Sequence, residues 1–258
     1  MKYIYMLRVN LRKNMIYKAS CIIDIVVAMV TIIILKFFWQ TMYADSYEQY
    51  RYMLNYAVFT NIISVIYNVS VYNSLINKIR TGDICIDLVR PWNVITSLFF
   101  EEWGIKLSKI VTDVIPVSLI CVLFFQIQGQ TPVRFLLLCV SVFLSSVILF
   151  LVKICVSMIC FWIMEAWSLL LLVDTIVLVL SGKFVPSWLM PEFFQQIMKC
   201  FPFIWIYQKP VELYLSDQFS AMSLLALFGM YLFWILLLLL VTRIIWGRAA
   251  NKMIVQGG

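Results

Sequence analysis

The sequence predicts an all-α polytopic membrane protein, a single transmembrane domain over residues 1–258 with six spans and both termini in the cytoplasm. Three observations lead there. Hydrophobic residues make up 64% of the chain and charged residues 13%, with a mean hydropathy of +0.96; a soluble domain of this length needs far more charge on its surface. The apolar residues gather into runs of about twenty or more, enough to cross roughly 30 Å of hydrocarbon as a helix. With the spans placed as below, 14 of the 20 Lys and Arg fall on one side, and basic residues near span ends stay on the cytoplasmic side.

Composition also excludes several functions. The net charge of +7 is divided by the membrane and forms no patch, which argues against a nucleic-acid partner. Histidine is absent, removing the usual general base and the commonest metal ligand. Of the seven cysteines only Cys200 falls in an external segment, and none has CxxC spacing, so neither a disulfide framework nor a metal site is expected.

Residues 1–18 open the chain with Lys2, Arg8, Arg12, Lys13 and Lys18, and with Ile4, Leu7, Leu11 and Met15 at three- and four-residue spacing. This pattern predicts a basic amphipathic helix lying on the inner leaflet. The first span follows at 20–39, with Asp24 near its inner end as a hydrated interfacial acid. After an external link holding Asp45, Glu48 and Arg51, the second span, 54–77, is rich in amides and hydroxyls. At 100° per residue, Asn61, Ser64, Asn68 and Tyr72 share a sector of about 80°. Such a stripe either lines a pathway or hydrogen-bonds to neighbouring helices, because polar amides are costly against lipid.

Residues 78–93 form a charged cytoplasmic loop. Gly82 can take positive φ, and Ile84, Leu88 and Val89 lie at helical spacing, while Asp83, Asp87 and Arg90 offer polar contacts. Pro91 ends the short helix and Asn93 caps the next. Glu101 and Glu102 lie opposite an apolar face, and Lys106 and Lys109 mark the inner end of the third span, 104–125. Asp113 can pair with Lys109 at i,i+4, and Pro116 is expected to kink the helix.

Residues 132–181 are almost continuously apolar, about 75 Å as one helix and too long for one crossing. A tight inner hairpin around Lys153 to Ser157 divides them into spans 133–152 and 158–181. Asp174 then lies amid apolar residues of the fifth span. An intramembrane acid is either a functional group or a paired one that fixes packing. Pro186, Pro191, Pro202 and Pro210 break up 182–216 into two aromatic pieces of about fourteen residues, too short to span and suited to external re-entrant or interfacial helices. The last span, 222–245, is held inside by Arg243, Arg248 and Lys252.

The polar second span, Gly82, and the Leu88-Val89-Arg90-Pro91 run together resemble the cytoplasmic loop of ABC-2-type (type V) exporter permeases. The resemblance extends to length, span number and loop sizes. It implies the ABC-2 exporter fold, and a coupling helix at Gly82, Asp83, Asp87, Leu88, Arg90 and Pro91 that docks on a separate ATPase subunit. It also implies two membrane chains, identical or paralogous, working with two ATPase chains in a cell membrane, and it suggests a bacterial source. The chain has no GxxxxGK[ST] loop and no soluble stretch large enough for a nucleotide-binding domain. It is therefore expected to be non-catalytic and to hold no cofactor, with ATP and Mg bound by the partner. Asn61, Ser64, Asn68, Tyr72 and Asp174 are the pathway candidates, and an amphipathic, peptide, drug or lipid-like substrate fits the apolar spans. The alternatives are an ATP-independent channel or secondary transporter, which wants more intramembrane ionisable groups or inverted repeats, and a non-transporting sensor or immunity subunit.

Overall fold

The computed structural model describes residues 5, 8–9, 18–69, 71–89, 93–125, 130–163, 166–216 and 220–256. The amphipathic segment expected over 1–18, together with Arg90 and Pro91, falls largely or wholly outside these residues. For Leu88 only the backbone is described. Helices account for nearly every described element, and no strand occurs among them.

The first crossing is α1 (Lys18–Met42). The second is divided into α2 (Tyr47–Tyr67) and α3 (Val71–Thr81). Between them Asn68 leaves helical geometry at φ −75°, ψ 79°, and asparagine is a poor helix former because its side chain can compete for backbone groups. The short α4 (Ile84–Val89) follows, and then α5 (Val94–Lys109), whose N-terminus Asn93 caps by accepting from the Ile95 and Thr96 amides. Pro116 has the effect that its missing N–H and its ring predict. A single π-helical turn, Ile110–Val114, separates α5 from α6 (Ile115–Phe125).

The longest inner helix, α7 (Pro132–Met158), continues as one 3₁₀ turn, Ile159–Phe161. The hairpin expected at 153–157 therefore falls later in the chain, after Phe161. Lys153 had suggested an aqueous turn, but it lies buried within α7 and faces a carboxylate. Next come α8 (Ala166–Leu180), α9 (Glu192–Cys200), α10 (Gln208–Leu215) and α11 (Ala221–Gln256). The two short helices α9 and α10 occupy the proline-rich segment, with 3₁₀ turns before each. Five helical stretches among the described residues are long and apolar enough to cross a membrane: Ala19–Met42, Tyr47–Thr81, Val94–Phe125, Pro132–Phe161 and Ala221–Ala249. In the place of the expected span 158–181 stands α8, apolar over Ser168–Leu180 and about 22 Å long at the usual rise.

α7 is the central post, packed by α11, α10, α8 and α3. Two clusters share it. Its first half meets Tyr56, Ile63 and Tyr67 of α2, Val177 of α8, the Trp205–Tyr207 turn and Tyr231 of α11. Its second half meets Tyr72 and Leu75 of α3, Ile84 of α4, and Val94 and Leu98 of α5. Most of α1 and α11 stays exposed, as expected for helices whose apolar faces meet lipid rather than protein.

Candidate functional site

Two regions carry the polar chemistry, and α3 joins them. The first is the turn from α3 into α4. Gly82 sits there at φ +81° with nothing within 4 Å of a Cβ built on it, so the backbone conformation alone requires glycine. Its carbonyl accepts from the Cys85 amide at 3.0 Å, and Asp83 accepts from Thr81 Oγ1 at 2.7 Å. Lys78 Nζ reaches Asp87 Oδ2 at 2.8 Å across the turn. Asp83 and Asp87 thus both make contacts within the loop and hold its shape. Ile84 is buried on the inner side of α4, while Cys85 and Ile86 are exposed on the other.

The second region is a cavity of about 300 Å³ between α1, α2, α7, α8 and the turns after α8 and before α10. It gathers Asn61, Ser64, Asn68 and Asp174, four of the five pathway candidates. The fifth, Tyr72, lies past the helix break. The 100° spacing that put it on the same stripe ends where α2 ends. Its hydroxyl donates instead to Glu102 of α5, and its ring belongs to the other cluster.

Asp174 is paired: Lys153 Nζ lies 2.8 Å from its Oδ1, while the Asp174 side chain keeps 42% of its exposure. Lys153 also stands over the Tyr72 ring at 5.1 Å. Asp24, expected as a hydrated acid, lines the cavity and is paired with Lys109 at 2.6 Å. Lys109 also lies 3.8 Å from Asp113, as the i,i+4 spacing anticipates. Asn61 donates to the Ala57 carbonyl at 2.8 Å, one turn back along α2.

Lys183, two residues beyond the apolar run 132–181, points inward. Its Nζ donates to Ser64 Oγ at 2.7 Å and lies over the rings of Phe184 and Tyr207. Burial pushes its amine down to about 8, because removing water penalises the charged form. Gly182 turns the chain so that Lys183 enters the bundle. At φ +73°, a Cβ there would sit 2.5 Å from Gln208 Oε1 and 3.2 Å from the Tyr56 hydroxyl. Tyr56 donates to the Gly182 carbonyl, and Gln208 holds Ser187 and Glu212. The one legible signal was a Gly-Lys pair straight after a leucine-rich span.

Glu102 and Lys106 form an ion pair at i,i+4 that is sealed inside the bundle, with 1% and 0% of each side chain exposed. Two opposite charges one turn apart can be buried together because each neutralises the other. No cluster of three or more metal-ligating side chains occurs among the described residues, and the described cysteines are free thiols.

A helical bundle with several membrane-length apolar helices and a polar cavity between them defines the class, a multi-pass membrane protein. The chain belongs to the ABC-2 family of transporter proteins, which it matches over residues 25–257. Neither a curated protein nor a solved structure matches it. Membership makes the chain a membrane subunit of an ABC-type transport system, of a kind that is generally not itself catalytic.

Proposed function

We propose that this chain is the permease subunit of an ATP-driven exporter, powered by a separate ATPase that binds ATP and Mg. Family membership supports the class. The observation that carries the coupling is the continuity from α4 through α3 to the cavity. The turn at Gly82 and the Lys78–Asp87 pair join α3 and α4 into one hook. The upper end of that hook is the break at Asn68, which lines the cavity. Tyr72 and the Glu102–Lys106 pair tie α3 to α5, so a push on the loop moves a linked body rather than a frayed strand of chain.

Two ATPase copies acting on two permease chains would press residues 78–93. α2, α3 and α8 would then shift at the axis between the chains, and the external segment 182–216 would open, in alternating access. With both termini in the cytoplasm of a bacterial plasma membrane, the loop faces the ATPases. The cargo class is amphipathic, a lipid-like molecule, peptide or drug, matched to apolar helices around a polar cavity.

The test is recovery of a partner. The tagged chain is extracted in mild detergent and its bound proteins are identified by mass spectrometry, beside Ile86→Arg and Asp87→Ala/Arg90→Ala. An ATPase recovered with the unaltered chain and lost from both variants supports the reading. Absence of any ATPase under several gentle conditions would overturn it in favour of a channel or secondary transporter.

A further inference from the structure

Lys183 is the one cation facing the cavity without a carboxylate among the described residues. Asp174 is held by Lys153 at 2.8 Å and Asp24 by Lys109 at 2.6 Å, so each acid has its own lysine. Lys183 has only the Ser64 hydroxyl and two ring faces. An ammonium donates three hydrogen bonds and accepts none. One is used, and Lys183 lines a polar cavity, where a buried charge calls for a counter-charge.

Further donors stand beside it. Ser64 Oγ accepts from Lys183 and bonds the Tyr207 hydroxyl, so this hydroxyl pair keeps one O–H to donate, and the exposed side-chain amide of Asn68 lines the same wall. A cationic ligand would find both carboxylates already engaged. An anion would meet an ammonium, a hydroxyl and an amide together.

The dimensions and the opening narrow the ligand. About 300 Å³ is at the lower end of the ~300–1,000 Å³ of small-molecule pockets, enough for a head group and not for a whole lipid. Val27 of α1 lines the cavity and is also 58% exposed on the bundle surface. Beside it on α1, Ile23, Val30 and Ile34 are exposed as well. A polar chamber that opens past an apolar helix face suits a molecule with a charged head and a hydrocarbon tail.

We propose that the cavity binds the anionic head group, phosphate or carboxylate, of an amphiphile, held by Lys183, Ser64 and Asn68, with the tail leaving past Val27 along α1. This deepens the exporter reading by naming the chemistry of its cargo or of a regulatory lipid. Binding requires no ATPase, so failure here leaves the coupling loop untouched, and failure to recover an ATPase leaves this site standing.

The experiment uses the full chain in phosphatidylcholine nanodiscs with a diazirine-bearing dodecyl phosphate and, as its neutral counterpart, a diazirine-bearing dodecyl maltoside. Crosslinks are mapped by peptide mass spectrometry. The phosphate probe is expected to label residues in 24–31 or 174–178, and Lys183→Gln to weaken that labelling at least about tenfold, near 1.4 kcal/mol. Lys209→Gln, whose lysine pairs with Glu212 away from the cavity, should leave it unchanged. Competition by added phosphatidylglycerol would assign the head group to the bilayer. Competition by unlabelled dodecyl phosphate alone would assign it to a soluble amphiphile.

If Lys183→Gln does not fold, the unaltered chain supplies the test. Labelling should fall as pH is raised well above about 8, since burial lowers the Lys183 amine to that value in the empty cavity and a bound anion raises it again. The other ionisable groups lining the cavity are Asp24, Asp174, Lys153, Tyr67 and Tyr207. Equal labelling by both probes, undiminished labelling in a folded Lys183→Gln, or a flat pH series would overturn the proposal.

Discussion

Two ion pairs, Glu102–Lys106 and Lys153–Asp174, both sit among the helices, yet their surroundings differ. Neither charge of the first reaches any surface, and Tyr72 closes over Glu102. In the second, Asp174 keeps 42% of its side-chain exposure and opens onto the cavity. A sealed pair can only hold helices in register, since no ligand reaches it. A half-open pair can exchange partners with whatever enters the cavity. Intramembrane charge by itself therefore does not mark a functional residue, whereas charge facing a reachable polar space can.

The largest effect should come from breaking the sealed pair. Glu102→Gln or Lys106→Met alone leaves one uncompensated charge in the bundle and should cost about 3–5 kcal/mol of stability, read as a fall in the thermal unfolding midpoint in detergent. Combining the two should recover most of that loss, because the packing survives without either charge. A double variant no better than the singles would mean the pair does more than neutralise itself.

The two positive-φ glycines sharpen the contrast at the next level. Gly182→Ala must move Gln208 or Tyr56 as well as strain the backbone, a combined cost of about 2–4 kcal/mol. Gly82→Ala meets open space and should cost only about 1–2 kcal/mol, with its effect concentrated on ATPase recovery. Equal midpoints for the two variants would show that the Gly182 turn is softer than its contacts imply.

The smallest change in stability should be at the open pair. Asp174→Asn removes a half-exposed charge but leaves buried Lys153 facing a neutral amide beside the open cavity, and should shift stability by about 1 kcal/mol, while substrate-stimulated ATPase turnover of the reconstituted complex falls. Unchanged turnover with normal assembly would remove Asp174 from the mechanism.

Much of the chain's architecture was legible because it follows from local rules. Asn93 caps a helix in the structure as its side chain predicts, and Gly82 takes the positive φ that no Cβ opposes. Pro116 disturbs its helix, as a π turn rather than a simple bend. Asn61, Ser64 and Asn68 share one face, and the helical repeat is enough to say so. Tyr72 did not follow because the repeat assumes an unbroken helix, and Asn68 breaks it.

The positions of Lys153 and Lys183 were not legible, for a related reason. Lys153, in the middle of a long apolar run, suggested a hairpin, and Lys183, just beyond that run, suggested an outer end, as though charge must seek water. Lys153 met Asp174 across a helix interface, and Lys183 met Ser64 and two aromatic rings after the chain turned at Gly182. A partner on another helix cannot be read from spacing along one.

The sequence by itself determined that this is a multi-pass helical membrane protein, with an apolar content no soluble surface tolerates and a loop built to turn at Gly82. It also singled out a polar face on the second crossing. Only the tertiary structure decided which charges are sealed and which face the cavity, because that depends on the rotation and depth of each helix against its neighbours. The energy of an ion pair falls steeply with separation, so a rotation of one residue position about α7 or α8 would separate Lys153 from Asp174 and leave both acid and base unmatched.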